Sequence, residues 1–156
     1  MKLKMLFLWL TIGLTACVDP CTELICLNGS TCLDGTCLCP DFYEGTDCGT
    51  EEREKYFATY SGTTTYTDSQ GNTSSYADSH VVNTSDKGLN YFNIDSGIYA
   101  NLTTSKSGVF DIPSQTGADT TSYFSGSGAF TTSQIDYSIT VESSGQTLTM
   151  SFTGTK

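Results

Sequence analysis

Six of the seven cysteines of this 156-residue chain fall between Cys21 and Cys48, and none follows in residues 49–156. So short a segment holds too little apolar side chain to offset the entropy of ordering it, and it folds only if stapled. The staples are either disulfides or a metal. Clustered thiols can hold zinc, but this cluster contains no histidine, and a signal-like leader directs the chain to an oxidising compartment where disulfides persist. The change in composition after Cys48 also marks a domain boundary.

Lys2 and Lys4 precede an apolar run from Met5 to Ala16, too short to cross roughly 30 Å of hydrocarbon as a helix. Residues 1–16 therefore read as a signal peptide. The box Leu14-Thr15-Ala16-Cys17 resembles the lipobox of bacterial lipoproteins. In that family the cysteine thiol receives a diacylglycerol, the leader is cut before it, and the freed amine is acylated with a fatty acid such as palmitate. The resemblance implies Cys17 as the lipid attachment site, residues 17–20 as a lipid-anchored N-terminus, and the membrane as a partner. Cysteine parity agrees: seven is odd, and removing Cys17 leaves six that can all pair. Two or three acyl chains anchor a protein stably without a transmembrane helix. Val18 stands where an aspartate would, by the same resemblance, signal retention at the inner membrane, so the expected location is the outer membrane.

The spacing C-x4-C-x5-C-x4-C-x-C-x8-C, closing on Cys37-Leu-Cys39-Pro-Asp-Phe-Tyr-Glu-Gly45-Thr-Asp-Cys48, resembles the EGF-like module. The resemblance implies residues 21–48 as that module, with Cys21 joined to Cys32, Cys26 to Cys37 and Cys39 to Cys48. The close pair Cys37 and Cys39 makes poor partners in any case, because an extended backbone points them apart. Asn28-Gly29 and Asp34-Gly35 supply the positive-φ positions that tight turns need. Phe42 or Tyr43 occupies the aromatic position of the last hairpin, and Asp41 stands where many members carry glycine. Some such modules bind calcium through an acidic pair before the first cysteine. Here Asp19 is alone beside Pro20, and one carboxylate does not build a shell of six to eight oxygens. No metal or other cofactor is expected, and Asp19, Glu23, Asp34, Asp41 and Asp47 read as solvated charges.

Residues 49–55, with Glu51-Glu52-Arg53-Glu54-Lys55, read as a charged linker in which Glu51 and Lys55 could pair over a helical turn. From Tyr56 to Lys156 the composition turns to Thr, Ser, Tyr and Gly in short alternating runs. Ile135-Asp-Tyr-Ser-Ile-Thr-Val141 alternates apolar and polar, as a half-buried strand does. Leu148, Met150 and Phe152 repeat the pattern after Ser143-Ser-Gly-Gln146 and predict a hairpin. Further strands are predicted over 56–67, 74–83, 89–95, 98–103, 109–112 and 121–130, punctuated by Gln70-Gly-Asn72, Asp86-Lys-Gly88, Asp95-Ser-Gly97 and Ser107-Gly108. The fold class is thus mainly β: a small disulfide-rich module followed by an antiparallel meander forming a barrel or a sandwich. Phe110-Asp-Ile-Pro-Ser-Gln-Thr116, Gly126-Ser-Gly128 and the closing Phe152-Thr-Gly-Thr-Lys156 are similar to the C-terminal region of small secreted lipoproteins with calycin-like β domains, which implies a small barrel.

At a net charge of -10 a nucleic-acid partner is not expected, because a polyphosphate needs clustered cations. Beyond the leader the basic residues Arg53, Lys55, Lys87, Lys106 and Lys156 are scattered along the chain. Catalysis needs titratable groups converging on one pocket, and no phosphate loop, dinucleotide fingerprint or metalloprotease helix is present. His80 is the only histidine. Its neighbours Asp78 and Ser79 suggest a triad, but adjacency does not assemble one in space, and the histidine is expected at the surface or at a strand end. Asp68, Asp78, Asp86, Asp95, Asp111, Asp119, Asp136 and Glu142 offer carboxylates with nothing to mark a pair. Tyr56, Tyr60, Tyr66, Tyr76, Tyr91, Tyr99, Tyr123 and Tyr137 either half-bury as strand formers or form an adhesive surface. Sequons at Asn28, Asn72, Asn83 and Asn101 matter only in a eukaryotic secretory route.

The resulting expectation is a non-enzymatic, lipid-anchored envelope protein whose EGF-like module is a rigid spacer presenting a β domain to a protein or glycan. The alternative is a carrier of a small apolar ligand in a hollow barrel. A hydrolase is third, and His80 bonded to a carboxylate and to a Ser or Thr hydroxyl in one cleft is what would favour it.

Overall fold

A computed structural model describes residues 19–156. The expected signal peptide and the expected lipid site at Cys17 lie outside the described residues. The N-terminal segment is built on two small hairpins, β1 (Thr31–Leu33) with β2 (Thr36–Leu38) and β3 (Tyr43–Glu44) with β4 (Thr50–Glu51). The first turns through Asp34-Gly35 at φ 49 and 77, the paired positive-φ conformation that matches the twist of a tight hairpin. Disulfides join Cys21 to Cys32, Cys26 to Cys37 and Cys39 to Cys48, the connectivity that the EGF-like resemblance implies. Cys32 and Cys37 face each other across β1–β2, and each bridges out to the preceding segment, so two covalent ties replace the core this segment lacks.

Eight strands follow: β5 (Ala58–Thr67), β6 (Thr73–Thr84), β7 (Tyr91–Ile94), β8 (Ile98–Leu102), β9 (Val109–Thr116), β10 (Ser122–Phe130), β11 (Gln134–Ser143) and β12 (Gln146–Thr155). Each pairs antiparallel with the next, and β12 pairs back onto β5 from Thr149↔Thr67 to Thr155↔Ser61. The meander is therefore a closed up-and-down barrel, and the sandwich alternative is excluded. Alternation decides which side is which. Along β5, Thr59, Ser61 and Thr63 face out while Tyr60 and Thr64 are buried; along β11, Ile135, Tyr137 and Ile139 are buried and Ser138 is exposed. With a polar outside and an apolar inside, this wall is the reverse of a membrane-spanning barrel.

We call the end that receives the chain from the module the near end. Here the barrel is packed with rings: Phe130 lies 4.2 Å from Tyr56, 4.9 Å from Phe110 and 5.3 Å from Phe92 between centroids. Burying each such side chain contributes about 1.5–3 kcal/mol. The charged stretch expected as a linker is packed rather than solvated. Thr50 and Glu51 form β4, Glu52–Tyr56 is a 3-10 turn, and Glu52 and Arg53 are buried. Glu52 accepts hydrogen bonds from Ser105 Oγ (2.8 Å) and the Lys106 backbone N–H (2.6 Å). The Arg53 guanidinium donates to the carbonyls of Ser85 (2.8 Å), Gly88 (2.9 Å) and Tyr91. The anticipated Glu51–Lys55 pair does not form. Glu51 pairs with Arg53, and Lys55 pairs with Glu44 and Glu52, because the turn is too tight and too short for a four-residue helical spacing.

Candidate functional site

The barrel wall is uneven. β7 and β8 are short, so β6 pairs with β7 only over Val82–Thr84, and β8 meets β9 only at Asn101 and Leu102. Beyond that level β9 continues through Pro113 to Thr116, further than the predicted Ile112. Pro113 has no N–H to give a neighbour, which suits it to an edge. The Gln115 side chain spans part of the gap, accepting from Tyr99 N (3.0 Å) and donating to Tyr99 O (2.7 Å). The far end of the barrel thus opens as a mouth with one low side.

Register brings the polar residues of this mouth together. β5–β6 pairing sets Tyr60 opposite His80, Gly62 opposite Asp78 and Thr64 opposite Tyr76, all facing inward by the two-residue period. The sequence expectation of a surface or strand-end histidine is therefore wrong: His80 lies within β6 and faces the barrel interior. It points into the barrel, edge-to-face with Phe152 at 4.5 Å between ring centroids. Asp95, at the tip of the β7–β8 hairpin, accepts from His80 Nδ1 (2.6 Å) and from Val81 N (2.8 Å). On the other side, Nε2 lies 3.3 Å from Asp78 Oδ2 and 3.5 Å from Thr64 Oγ1. Thr64 gives its proton to Asp78 at 2.9 Å. Hydrogen bonds from Ser79 N and Thr64, with His80 beside it, hold the Asp78 carboxyl below its ordinary range.

Beneath this group lies Tyr137, 4% exposed, whose hydroxyl has no hydrogen-bond partner. Burial, and then the nearby charges of Asp95 and Asp78, push its phenol strongly upward. An unpaired buried hydroxyl costs about 1–3 kcal/mol. By contrast, Tyr60 donates to Tyr56 O at 3.0 Å, and burial pushes its phenol up to about 12. Above the cluster, Tyr66 and Tyr76 stack with centroids 5.9 Å apart, and Tyr76 donates to Tyr66 at 3.2 Å. Met150, paired with Tyr66 across β12 and β5, and Val141 and Phe124 on the next strands add half-buried apolar surface.

Of the eight carboxylates considered from sequence, the structure brings Asp78 and Asp95 to one imidazole. Asp68, Asp119 and Glu142 lie at the same far end, while Asp86 lies in the β6–β7 connection at the near end. The tyrosines divide: Tyr56, Tyr60 and Tyr137 are buried, Tyr91 and Tyr99 pair on the wall, and Tyr76 and Tyr123 are exposed. A carboxylate, an imidazole and a hydroxyl do converge, the feature that would favour a hydrolase. However, Thr64 is fully buried and its proton is committed to Asp78, so the hydroxyl is neither oriented toward the base nor open to a substrate. Among the described residues no group of three or more His, Cys, Asp or Glu is arranged to hold a metal, and the six module cysteines are bridged rather than free for zinc.

Charge is sorted along the barrel. All five Lys and Arg of the described residues lie at the near end, in the 3-10 turn, the β6–β7 and β8–β9 connections and the C-terminus. The far end carries Asp68, Asp78, Asp95, Asp119 and Glu142 with no Lys or Arg among the described residues. Sequence reasoning missed both the sorting and the Asp95–His80–Asp78 bridge. The one signal available was the turn Asp95-Ser-Gly97, which shortens β7–β8 and drops Asp95 to the level of His80. The chain matches no family model, no curated protein and no solved structure.

Proposed function

We propose that this chain is a non-enzymatic envelope lipoprotein, anchored through Cys17 to a membrane, the outer membrane by the Val18 argument, whose barrel binds a protein or glycan ligand at its far mouth. The observation that carries this reading is the polarity of the fold. The chain enters from the module at one end of the barrel, and the tyrosine-rimmed polar mouth opens at the other. A lipid at residue 17 would tether the near end and leave the mouth facing away from the bilayer. The module, rigid through its three bridges and locked by Glu52 and Arg53, would then act as a spacer. Its hairpin carries exposed Leu33 and Leu38 on one face, suited to lying near a membrane interface. Tyr56, Phe92, Phe110 and Phe130 pack against one another at the near end, which leaves less room there for an apolar ligand.

The test is fractionation and mass spectrometry of the protein from its own cells. The expected mature form starts at Cys17, carries acyl chains and has six cysteines without thiol hydrogens, and Cys17→Ser should leave the membrane fraction. A protein that stays in the soluble fraction with an intact leader would refute the anchor.

A further inference from the structure

Resting on the reading of the far mouth as the binding site, we propose that its ligand is a protein, and that an extended segment of this ligand, carrying Lys or Arg, adds as a strand to the free edge of β6. β6 is a 12-residue strand, and β5 covers one of its edges from Thr73 to Val82. On the other edge β7 covers only Val82–Thr84, so residues 73–80 have no strand beside them there among the described residues. Backbone groups of an antiparallel strand point alternately to one neighbour and to the other. Val81 faces the uncovered side, because it gives its N–H to Asp95 Oδ1 (2.8 Å) and accepts from Asp95 N (2.7 Å). Ser75, Ala77 and Ser79 therefore face the same way. The Ser79 N–H is taken by Asp78 Oδ1 at 2.8 Å, which leaves the N–H groups of Ser75 and Ala77 and the carbonyls of all three residues for an incoming chain.

The two sides of the low wall differ. β9, across the space that β7 and β8 do not fill, is blunted: Pro113 has no N–H, and the Gln115 side chain is held by Tyr99. β6 contains no Pro, Lys or Arg, and its pairing with β5 runs without a bulge, so none of these common devices protects its edge. Thr73, Ser75, Ala77 and Ser79 put small uncharged side chains on the outer face, which leaves room for a strand alongside. In such an addition main-chain pairing supplies affinity and alternate side chains supply specificity. On the inner face the added strand would meet Tyr76, 48% exposed and stacked on Tyr66, whose ring attracts a cation. The far end carries Asp68, Asp78, Asp95, Asp119 and Glu142 with no Lys or Arg among the described residues. This charge draws a basic segment, and it repels a second copy of the chain, which would bring the same carboxylates to a shared β6 edge.

The experiment adds peptides to the detergent-solubilised full-length protein and follows its backbone amides by NMR and hydrogen exchange. The probes are a short peptide alternating Lys with Thr and Val, the same peptide with Glu in place of Lys, the Lys peptide methylated at every backbone nitrogen, and a set of methyl glycosides. The expected result is binding of the Lys peptide with slowed exchange at Ser75 and Ala77, roughly tenfold weaker binding of the Glu peptide, and no binding of the methylated one. Ala77→Pro removes one edge N–H and no bond to β5, and it should weaken the Lys peptide roughly fivefold. Near-ultraviolet dichroism checks that this variant folds, and the methylated peptide tests the same bonds on the unaltered protein. Equal binding of the methylated or the Glu peptide, binding without protection at Ser75 and Ala77, or unchanged affinity in a folded Ala77→Pro overturns the proposal. Protection of those amides without any peptide, in a protein that sediments as a dimer, makes the occupant a second copy and overturns it as well. If methyl glycosides shift Tyr66 and Tyr76 while every peptide is silent, the added strand falls and the binding-module reading stands. Silence from every probe takes down both.

Discussion

Gly128 and Tyr137 lie directly opposite each other on β10 and β11, and together they show how one position sets another. A Cβ on Gly128 would come within 2.4 Å of the Phe110 ring and 2.5 Å of both Asp136 O and Tyr137 Cβ, so the glycine is what lets a phenylalanine and a tyrosine share this layer. Gly128→Ala should destabilise the protein by about 1–3 kcal/mol in denaturant titration, since backbone as well as side chain must shift. Tyr137→Phe should do the reverse in the absence of ligand, raising stability by about 1 kcal/mol by removing an unpaired hydroxyl. A loss of stability would mean that the hydroxyl is satisfied in solution. Asp119 shapes the β9–β10 loop by accepting from Thr121 N, Ser122 N and Ser122 Oγ. The Ser122 hydroxyl and backbone hydrogen bonds, followed by that of Thr121, lower its carboxyl from 3.8 to about 2. A folded-state value below the unfolded one stabilises the fold above pH 3.8 and loses that contribution as pH falls through about 2. Amide exchange at Thr121 and Ser122 should therefore accelerate over that window, and Asp119→Ala should abolish the pH dependence. At this scale the sequence misleads about His80. Its neighbour Ser79 points outward, and its true partner Asp95 is 15 residues away, reached only through strand pairing.

The 3-10 turn Glu52–Tyr56 is the element whose role the sequence conceals most. Charge runs are usually solvated, and nothing local distinguishes Arg53 from Lys55. Arg53 is nevertheless the hub that holds the β6–β7 connection through three carbonyls while its Nε bonds Glu51 at 2.7 Å. Arg53→Ala would strand those carbonyls and the paired carboxylate, at a cost of about 3–5 kcal/mol, seen as a lower denaturation midpoint. Arg53→Lys should recover only part of this loss, because one ammonium cannot reproduce the guanidinium fork. The strands were more legible. All eight were predicted, because alternation and turn residues are local properties of the chain. Only their ends shifted, most at β9, where pairing with β10 carries the strand past Pro113 to Thr116.

Over the whole molecule, the two parts rest on different physics. The barrel has its own apolar core, whereas the module depends on covalent ties. Reduction should therefore unravel residues 21–48, detected as lost exchange protection in β1 and β2, while the barrel stays folded. Barrel stability should fall only modestly, through the loss of contacts such as Phe42 N–H to Ser105 Oγ at 3.1 Å and Lys55 to Glu44. Simultaneous melting of both parts would show that the module is integral to the barrel core.

The cysteine spacing determined a stapled module, and the period-two pattern determined eight half-buried strands, because both are written in the separations of near neighbours along the chain. Closure of β12 onto β5, the gathering of the scattered lysines and Arg53 at one end of the barrel, and the meeting of Asp95, His80, Asp78 and Tyr137 were decided only in three dimensions. Each depends on register between strands far apart in sequence, and register is set by packing the shared core rather than by any single strand.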